Sequence, residues 1–138
     1  MARRGTDRSG THFLNVDLEV RSRVDLHGLV VAFAEKVLVM YDGRFRRTYY
    51  AYFELAQLRP GRTPDATIRG FCTLIDALRR PERSLWNGAK ARDFSIGVQA
   101  GTHPPTTDFA VEAETLRAVS RLGGRIVLTI YAPGELSS

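Results

Sequence analysis

Three carboxylates at strand-like positions are the best candidates for acid–base chemistry in this chain. Asp17 and Glu19 lie two residues apart in one alternating segment, and Glu54 lies in another. Side chains two residues apart in a strand share a face, so a sheet could bring the three together as a general acid and base. Carboxylates on the outer face of a strand also serve simply for solubility, and we expect that role ahead of catalysis.

The histidines and the single cysteine do not form a catalytic or metal-binding motif in the sequence. No metal-ligand spacing relates Cys72 to the histidines, which are His12, His27 and His103. His12 or His103 could shuttle a proton, and His103, in a loop beside two prolines, is the stronger candidate. Cys72 falls on the apolar stripe of a predicted helix, and the chain has neither a Gly-x-Ser-x-Gly elbow nor a complete phosphate loop. The sequence therefore predicts no catalytic residue, metal or cofactor, and it favours a protein that is not an enzyme.

Aromatic and polar side chains alternate with apolar ones in three predicted strands. If helices cover one side of the sheet, the other side shows the candidate binding residues Asn15, Asp17, Tyr50, Tyr52, Glu54 and Tyr131, with Phe13, Glu19 and Thr129 beside them. Tyrosine offers a large contact area at low entropic cost, which suits a protein partner or a small polar ligand. The neighbouring carboxylates do not suit RNA. The simpler alternative is a solvated face with cross-strand tyrosine packing.

Arginine dominates the positive charge of the chain, whose net charge is +5. Predicted loops carry Arg44, Arg46 and Arg47 at a hairpin tip, followed by Arg59 and Arg62. If these loops fold together, they form one patch for phosphate or an acidic protein, so RNA binding is the alternative function. Arginines at loops and helix ends also keep a monomer soluble and oppose helix dipoles.

The hydrophobic periodicity predicts alternating strands and helices. Strands are predicted over residues 12–20, 37–41, 48–58, 93–99 and 125–131. Asp42-Gly43 indicates the turn between the second and third strands. Helices are predicted after the capping residues Asp25 and Thr63, over residues 81–89, and over a final acid-led segment with an apolar stripe of Leu116, Val119 and Leu122. Arg79 and Arg80 are expected in the last turn of the second helix, and Gly123 ends the final helix.

This order predicts an α+β fold in which helices cover one face of a mainly antiparallel sheet. The first six main elements follow the split βαβ pattern of ferredoxin-like folds, with an appended helix and strand. We expect residues 1–10 to be a disordered basic leader and residues 11–138 to form a single domain, since the length suffices for a core. The single cysteine, the lack of an apolar leader and the lack of a membrane span favour a cytoplasmic protein.

Several segments resemble a group of uncharacterised small bacterial proteins. They are residues 12–18 (HFLNVDL), 94–101 (FSIGVQAG) and 116–126 (LRAVSRLGGRI), with Thr129-Ile-Tyr131. The closing pattern, a helix ending in Leu-Gly before a strand ending in Ile-Tyr, is also similar to domains of unknown function, some of them immunity-type proteins of bacterial toxin systems. The resemblance implies a protein-binding role and carries no catalytic residue across. We therefore predict a non-enzymatic interaction protein whose exposed edge strands could pair in a homodimer, with a small-ligand protein or hydrolytic enzyme as the second alternative.

Overall fold

A computed structural model describes residues 10–57 and 59–134 of the chain. The predicted basic leader therefore lies outside the described residues, except for Gly10, which forms an isolated bridge with His103. In chain order the elements are β1 (His12–Ser22), α1 (His27–Phe33), a 3₁₀ helix (Ala34–Lys36), β2 (Val37–Phe45), β3 (Thr48–Leu55), α2 (Pro64–Asp76), α3 (Arg80–Asn87), β4 (Ala91–Gln99), α4 (Ala113–Arg121) and β5 (Arg125–Tyr131).

The five strands form one open sheet in the order β2-β3-β1-β4-β5. β1 is antiparallel to both of its neighbours, β2 and β3 form an antiparallel hairpin, and only β4 and β5 run parallel. The parallel pair arises because α4 carries the chain back to the end of the sheet at which β4 begins. The predicted α+β class with a mostly antiparallel sheet is confirmed.

The core lies between one face of the sheet and the helices. From β1, every second residue from Val16 to Val20 is fully buried, and α2 contributes Ile68 and Phe71 to the same core. α3 supplies Trp86, whose side chain is fully buried. Burying each such side chain contributes about 1.5 to 3 kcal/mol, so this single face holds most of the hydrophobic stabilisation of the fold.

α2 begins where its capping residues predict. The Thr63 hydroxyl accepts a hydrogen bond from the amide of Ala66 at 3.1 Å, and Pro64 occupies the first turn. The buried Asp65 carboxylate accepts the amide of Glu112 at 2.8 Å, so it joins the start of α2 to the start of α4. Burial opposes ionisation of Asp65, but these hydrogen bonds and Arg69 prevail and lower its pKa.

The end of α2 differs from the prediction. The helix stops at Asp76, Arg79 has an extended backbone, and Arg80 already begins α3. Pro81 therefore lies in the first turn of a new helix, where its missing N–H costs nothing, instead of terminating the old one. The prediction that Arg79 and Arg80 oppose the dipole of α2 is wrong for this reason.

The hairpin turn also lies elsewhere than predicted. β2 continues past Asp42-Gly43, since Gly43 pairs with Tyr50, and the turn is formed by Arg46 and Arg47. Arg46 adopts a left-handed backbone with φ of 58°, and its carbonyl accepts the Nε–H of Arg44 at 2.8 Å. The prediction of a turn at Asp42-Gly43 is wrong because both residues are paired with β3.

The junction between α4 and β5 confirms the predicted helix stop. Gly123 has φ of 75°, and a Cβ on Gly124 would lie 2.6 Å from the Phe94 ring, so both glycines are required there. The predicted apolar stripe is wrong at Leu116, which is 47% exposed. α4 is rotated so that Thr115 is buried in its place, one turn before Val119.

Candidate binding face of the sheet

The side of the sheet away from the helices carries a polar and aromatic surface, which we call the open face. Its side chains alternate with the buried core residues of the same strands, and cross-strand pairing sets Glu19 opposite Tyr52 and Asp17 opposite Ser95. The open face includes Asn15, Asp17, Glu19, Arg21, Tyr41, Tyr50, Tyr52, Glu54, Asp93, Ser95, Arg125, Thr129 and Tyr131, with the aliphatic Leu38 and Val127 at its sides.

The six candidate residues of the open face are not equally close to one another. Asp17, Tyr50, Tyr52 and Glu54 lie on the adjacent strands β1 and β3, near the middle of the sheet. Tyr131 pairs with Gln99 on the far side of β4, where its ring approaches Gly97, the partner of Asn15. Asn15 and Tyr131 therefore form a separate end of the open face.

Phe13 does not belong to the open face, contrary to the sequence prediction. A β-bulge shifts the register of β1 between Phe13 and Asn15, so Phe13 pairs with Val98 and turns toward the helices. Its ring lies 6.5 Å from that of Phe109, and the Arg62 guanidinium lies 5.5 Å from its centroid. The alternating pattern could not reveal this bulge because Phe13 and the following Leu14 are both apolar.

Three tyrosines form a cluster on the open face. The ring centroid of Tyr41 lies 6.4 Å from that of Tyr50 and 6.1 Å from that of Tyr52, and the latter two are 6.1 Å apart. Alternation in the sequence does not predict Tyr41 on the open face, because a second register shift, between Val39 and Tyr41, brings it there. The cluster offers a rigid aromatic surface, and Tyr41 is 44% exposed.

Beside the tyrosines, the carboxyl groups of Asp17 and Glu54 lie close enough to interact. Partial burial, the negative charge of Glu54 and a hydrogen bond with Glu54 together raise the pKa of Asp17 to about 6. Burial and the charge of Asp93 also raise the pKa of Glu19, while burial and the charge of Glu19 raise that of Tyr52. Near pH 6 Asp17 can therefore accept or release a proton.

We expect Asp17→Asn to stabilise the protein at neutral pH. Because the folded pKa is above the value of about 3.9 in an unfolded chain, the folded state holds the extra proton, and stability falls as the pH rises through this window. After discounting for solvent screening of a half-exposed group, the gain at pH 7.5 is about 1 kcal/mol. Urea denaturation at several pH values measures it.

The matched control for that substitution is Asp108→Asn, which removes one charge from an exposed loop. We expect this control to change the free energy of unfolding by less than about 0.5 kcal/mol at any pH. The gain from Asp17→Asn should disappear below about pH 3.5, where both states are protonated. A gain that persists at low pH would show that burial of charge is not its cause.

The predicted arginine patch divides into two groups at opposite ends of the sheet. Arg44, Arg46 and Arg47 flank the tip at the start of β3, whereas Arg59 and Arg62 follow its end. The eight residues of β3 separate these groups by roughly 26 Å. The guanidinium of Arg62 is also engaged within the protein, since its Nη2 donates a hydrogen bond to the carbonyl of Leu14. These five arginines therefore do not form one surface.

The histidines and the cysteine lie apart from the open face. His12 and His103 bond to nearby residues, and His27 lies 2.7 Å from Asp42, whose hydrogen bond and charge raise the pKa of His27. Burial, with Asp76 nearby, raises the pKa of the Cys72 thiol to about 11, so its thiolate is scarce. Within residues 10–57 and 59–134, no group of His, Cys, Asp and Glu could hold a metal ion.

Comparison with protein-family models, with curated proteins and with solved structures gave no match. None of the described helices is both long and apolar enough to cross a bilayer. The geometry of the open face is therefore the main basis for a functional proposal.

Proposed function

We propose that this chain is a non-enzymatic interaction protein that binds a partner protein through the open face. The observation that carries the proposal is the cluster of Tyr41, Tyr50 and Tyr52 beside the Asp17–Glu54 pair. Aromatic residues at the centre of a patch, with polar groups around them, are the composition typical of interface hot spots. Packed rings lose little side-chain entropy on binding, so such a surface is well suited to hold a partner.

The charges of the open face favour a protein partner over RNA. Arg21 and Arg125 contact Asp93 at one end, whereas Asp17, Glu19 and Glu54 bring negative charge to the middle. A phosphate backbone laid across the sheet would meet these carboxylates, whereas a protein can present an arginine or lysine to them. RNA binding through the predicted arginine loops is the weaker alternative, because those loops lie at opposite ends of the sheet.

The family resemblance supports a more specific version of the proposal. Similarity to immunity-type proteins favours a bacterial, cytoplasmic setting and a toxin domain as the partner. The order β2-β3-β1-β4 supports assigning the first four strands to the ferredoxin-like arrangement, with α4 and β5 appended. A second copy of the chain is another partner that we propose, and it would pair along the exposed edges β2 or β5.

We expect Tyr50→Ala to weaken partner binding by about 30-fold, which corresponds to the loss of a hot spot of about 2 kcal/mol. The partner is first captured on the tagged protein from a nuclease-treated bacterial lysate and identified. It is then purified and titrated against the wild type and the variant. The Tyr50 ring packs against those of both Tyr41 and Tyr52, so its loss removes a contact and loosens two neighbouring rings.

The matched control is Val31→Ser, which truncates an exposed apolar side chain on α1, on the helical side of the molecule. We expect its affinity for the partner to equal that of the wild type. If capture from an untreated lysate recovers only nucleic acid, and capture from the nuclease-treated lysate recovers no protein, the protein-binding proposal is wrong.

A hydrolytic enzyme or small-ligand protein is the second candidate, and the raised pKa of Asp17 favours it. An acid or base that titrates near pH 6 suits proton transfer. The Asp17→Asn variant separates the two functions. Loss of a catalytic Asp17 would abolish turnover, whereas loss of one of the three central carboxylates should only weaken partner binding.

A further inference from the structure

A cavity of about 300 Å³ opens at the end of the sheet where β4 and β5 begin. We call it the basic cleft. Four cationic side chains and one carboxylate line it, and these are Arg21, Lys90, Arg92, Arg125 and Asp93. Its lining therefore carries a net charge of about +3, from four cations and one anion.

The topology explains why these cations converge. β1 ends at this end of the sheet, and β3, β4 and β5 all begin there. The amide of Lys90 donates to the carbonyl of Arg21 at 2.7 Å, and its Nζ donates to the Thr48 hydroxyl at 3.2 Å. Thr48 is the first residue of β3, so Lys90 joins the start of this strand to the start of β4.

The charges of the basic cleft are only partly neutralised. Arg125 contacts the two oxygens of Asp93 at 2.8 and 3.2 Å, and Arg21 reaches the same carboxylate at 3.5 Å. Arg92 donates to main-chain carbonyls, and Lys90 donates to a hydroxyl. Within the described part of the chain, neither Lys90 nor Arg92 has a carboxylate at salt-bridge distance. An anion in the cleft would provide the missing negative charge.

We propose that the basic cleft binds the phosphate group of a nucleotide, either free or within a single-stranded nucleic acid. Phosphate oxygens accept charge-assisted hydrogen bonds from lysine and arginine, and a cleft with few carboxylates concentrates such anions. Tyr50 lies directly opposite Arg21 on the neighbouring strand, so an aromatic ring stands near the cleft for a base or sugar. Arg21, Asp93 and Arg125 belong both to the basic cleft and to one end of the open face, where Asp93 lies opposite Glu19, but the inference does not rest on the proposed function.

The test is titration of the full chain with inorganic phosphate, a nucleoside diphosphate and a single-stranded oligoribonucleotide. We expect Lys90→Gln to weaken phosphate-containing ligands about five- to tenfold, since it removes one charge-assisted contact. Asp93→Asn should strengthen binding, because it releases two arginines and removes the only carboxylate of the lining. The matched control is Arg59→Gln, which removes the same charge at the opposite end of the sheet and should leave affinity unchanged.

Each outcome decides the proposal. If the nucleoside diphosphate binds, and its affinity is lowered by Lys90→Gln, raised by Asp93→Asn and unchanged by Arg59→Gln, the ligand is a free nucleotide. If only the oligonucleotide binds, with the same changes in affinity, the ligand is a nucleic acid strand. Equal weakening by Arg59→Gln and Lys90→Gln would show diffuse charge attraction and overturn the proposal. Failure of all three probes to bind below about 1 mM would also overturn it. Lys90 is exposed, so loss of folding does not confuse the result, and circular dichroism verifies this for every variant.

Discussion

Replacing Trp86 with alanine is expected to reduce the free energy of unfolding by about 4 kcal/mol. The side chain is fully buried, and its indole Nε1–H donates to the carbonyl of Leu122 at 2.9 Å. The ring also packs edge-on against Phe94, with centroids 6.5 Å apart. Alanine would leave a large cavity and an unpaired buried carbonyl, at the point where α3, β4 and the end of α4 meet. Guanidinium denaturation followed by circular dichroism measures the loss.

Trp86→Phe is the informative comparison for that substitution. It retains most of the ring but removes the hydrogen bond to Leu122, so we expect a smaller loss of about 1 to 2 kcal/mol. Equal losses for the two variants would mean that the hydrogen bond, and not the filled volume, is what stabilises this junction. A loss below about 1 kcal/mol for Trp86→Ala would contradict the packing described above.

Arg92→Met should destabilise the fold by about 3 kcal/mol, although the residue lies on a strand near the surface. Its Nη1 donates to the carbonyls of Trp86, Asn87 and Ala89 at 2.9, 3.1 and 3.0 Å, and its Nε donates to that of Gly123 at 2.9 Å. Methionine keeps the apolar stem but leaves these carbonyls without their donor. Thermal and urea denaturation of the variant give the change.

Two further variants define what Arg92 contributes. Arg92→Lys should recover less than half of the lost stability, because one ammonium group cannot reach the ends of α3 and α4 together. Arg117→Met removes an exposed arginine from α4 and should change stability by less than about 0.5 kcal/mol. If Arg117→Met were as destabilising as Arg92→Met, loss of general positive charge would explain both, and the carbonyl contacts would not.

Local signals in the sequence were sufficient for much of the fold. Thr63 and Pro64 predicted the start of α2, and Gly123 predicted the stop of α4, because both depend on backbone geometry within a few residues. Alternation placed Tyr50 and Tyr52 on the face opposite the core. These features involve neighbouring residues only, so no knowledge of tertiary contacts was needed.

Features that depend on distant partners could not be predicted. The bulges that turn Phe13 inward and Tyr41 outward depend on pairing with β4 and β3. They cannot be recognised from a run of apolar or aromatic residues in the sequence. The basic cleft was missed for a similar reason, since Lys90 and Arg125 come together only through strand order. Arginine density along the chain pointed instead to Arg59 and Arg62, which the fold places elsewhere.

The most direct test of the open face is the ratio of two dissociation constants for the captured partner, measured with Tyr50→Ala and with Val31→Ser. We predict that Tyr50→Ala binds about 30-fold more weakly than the wild type, while Val31→Ser binds equally well. If Tyr50→Ala retained wild-type affinity and Val31→Ser lost it, the partner would bind the helical side of the molecule. That result would contradict the assignment of the open face as the binding surface.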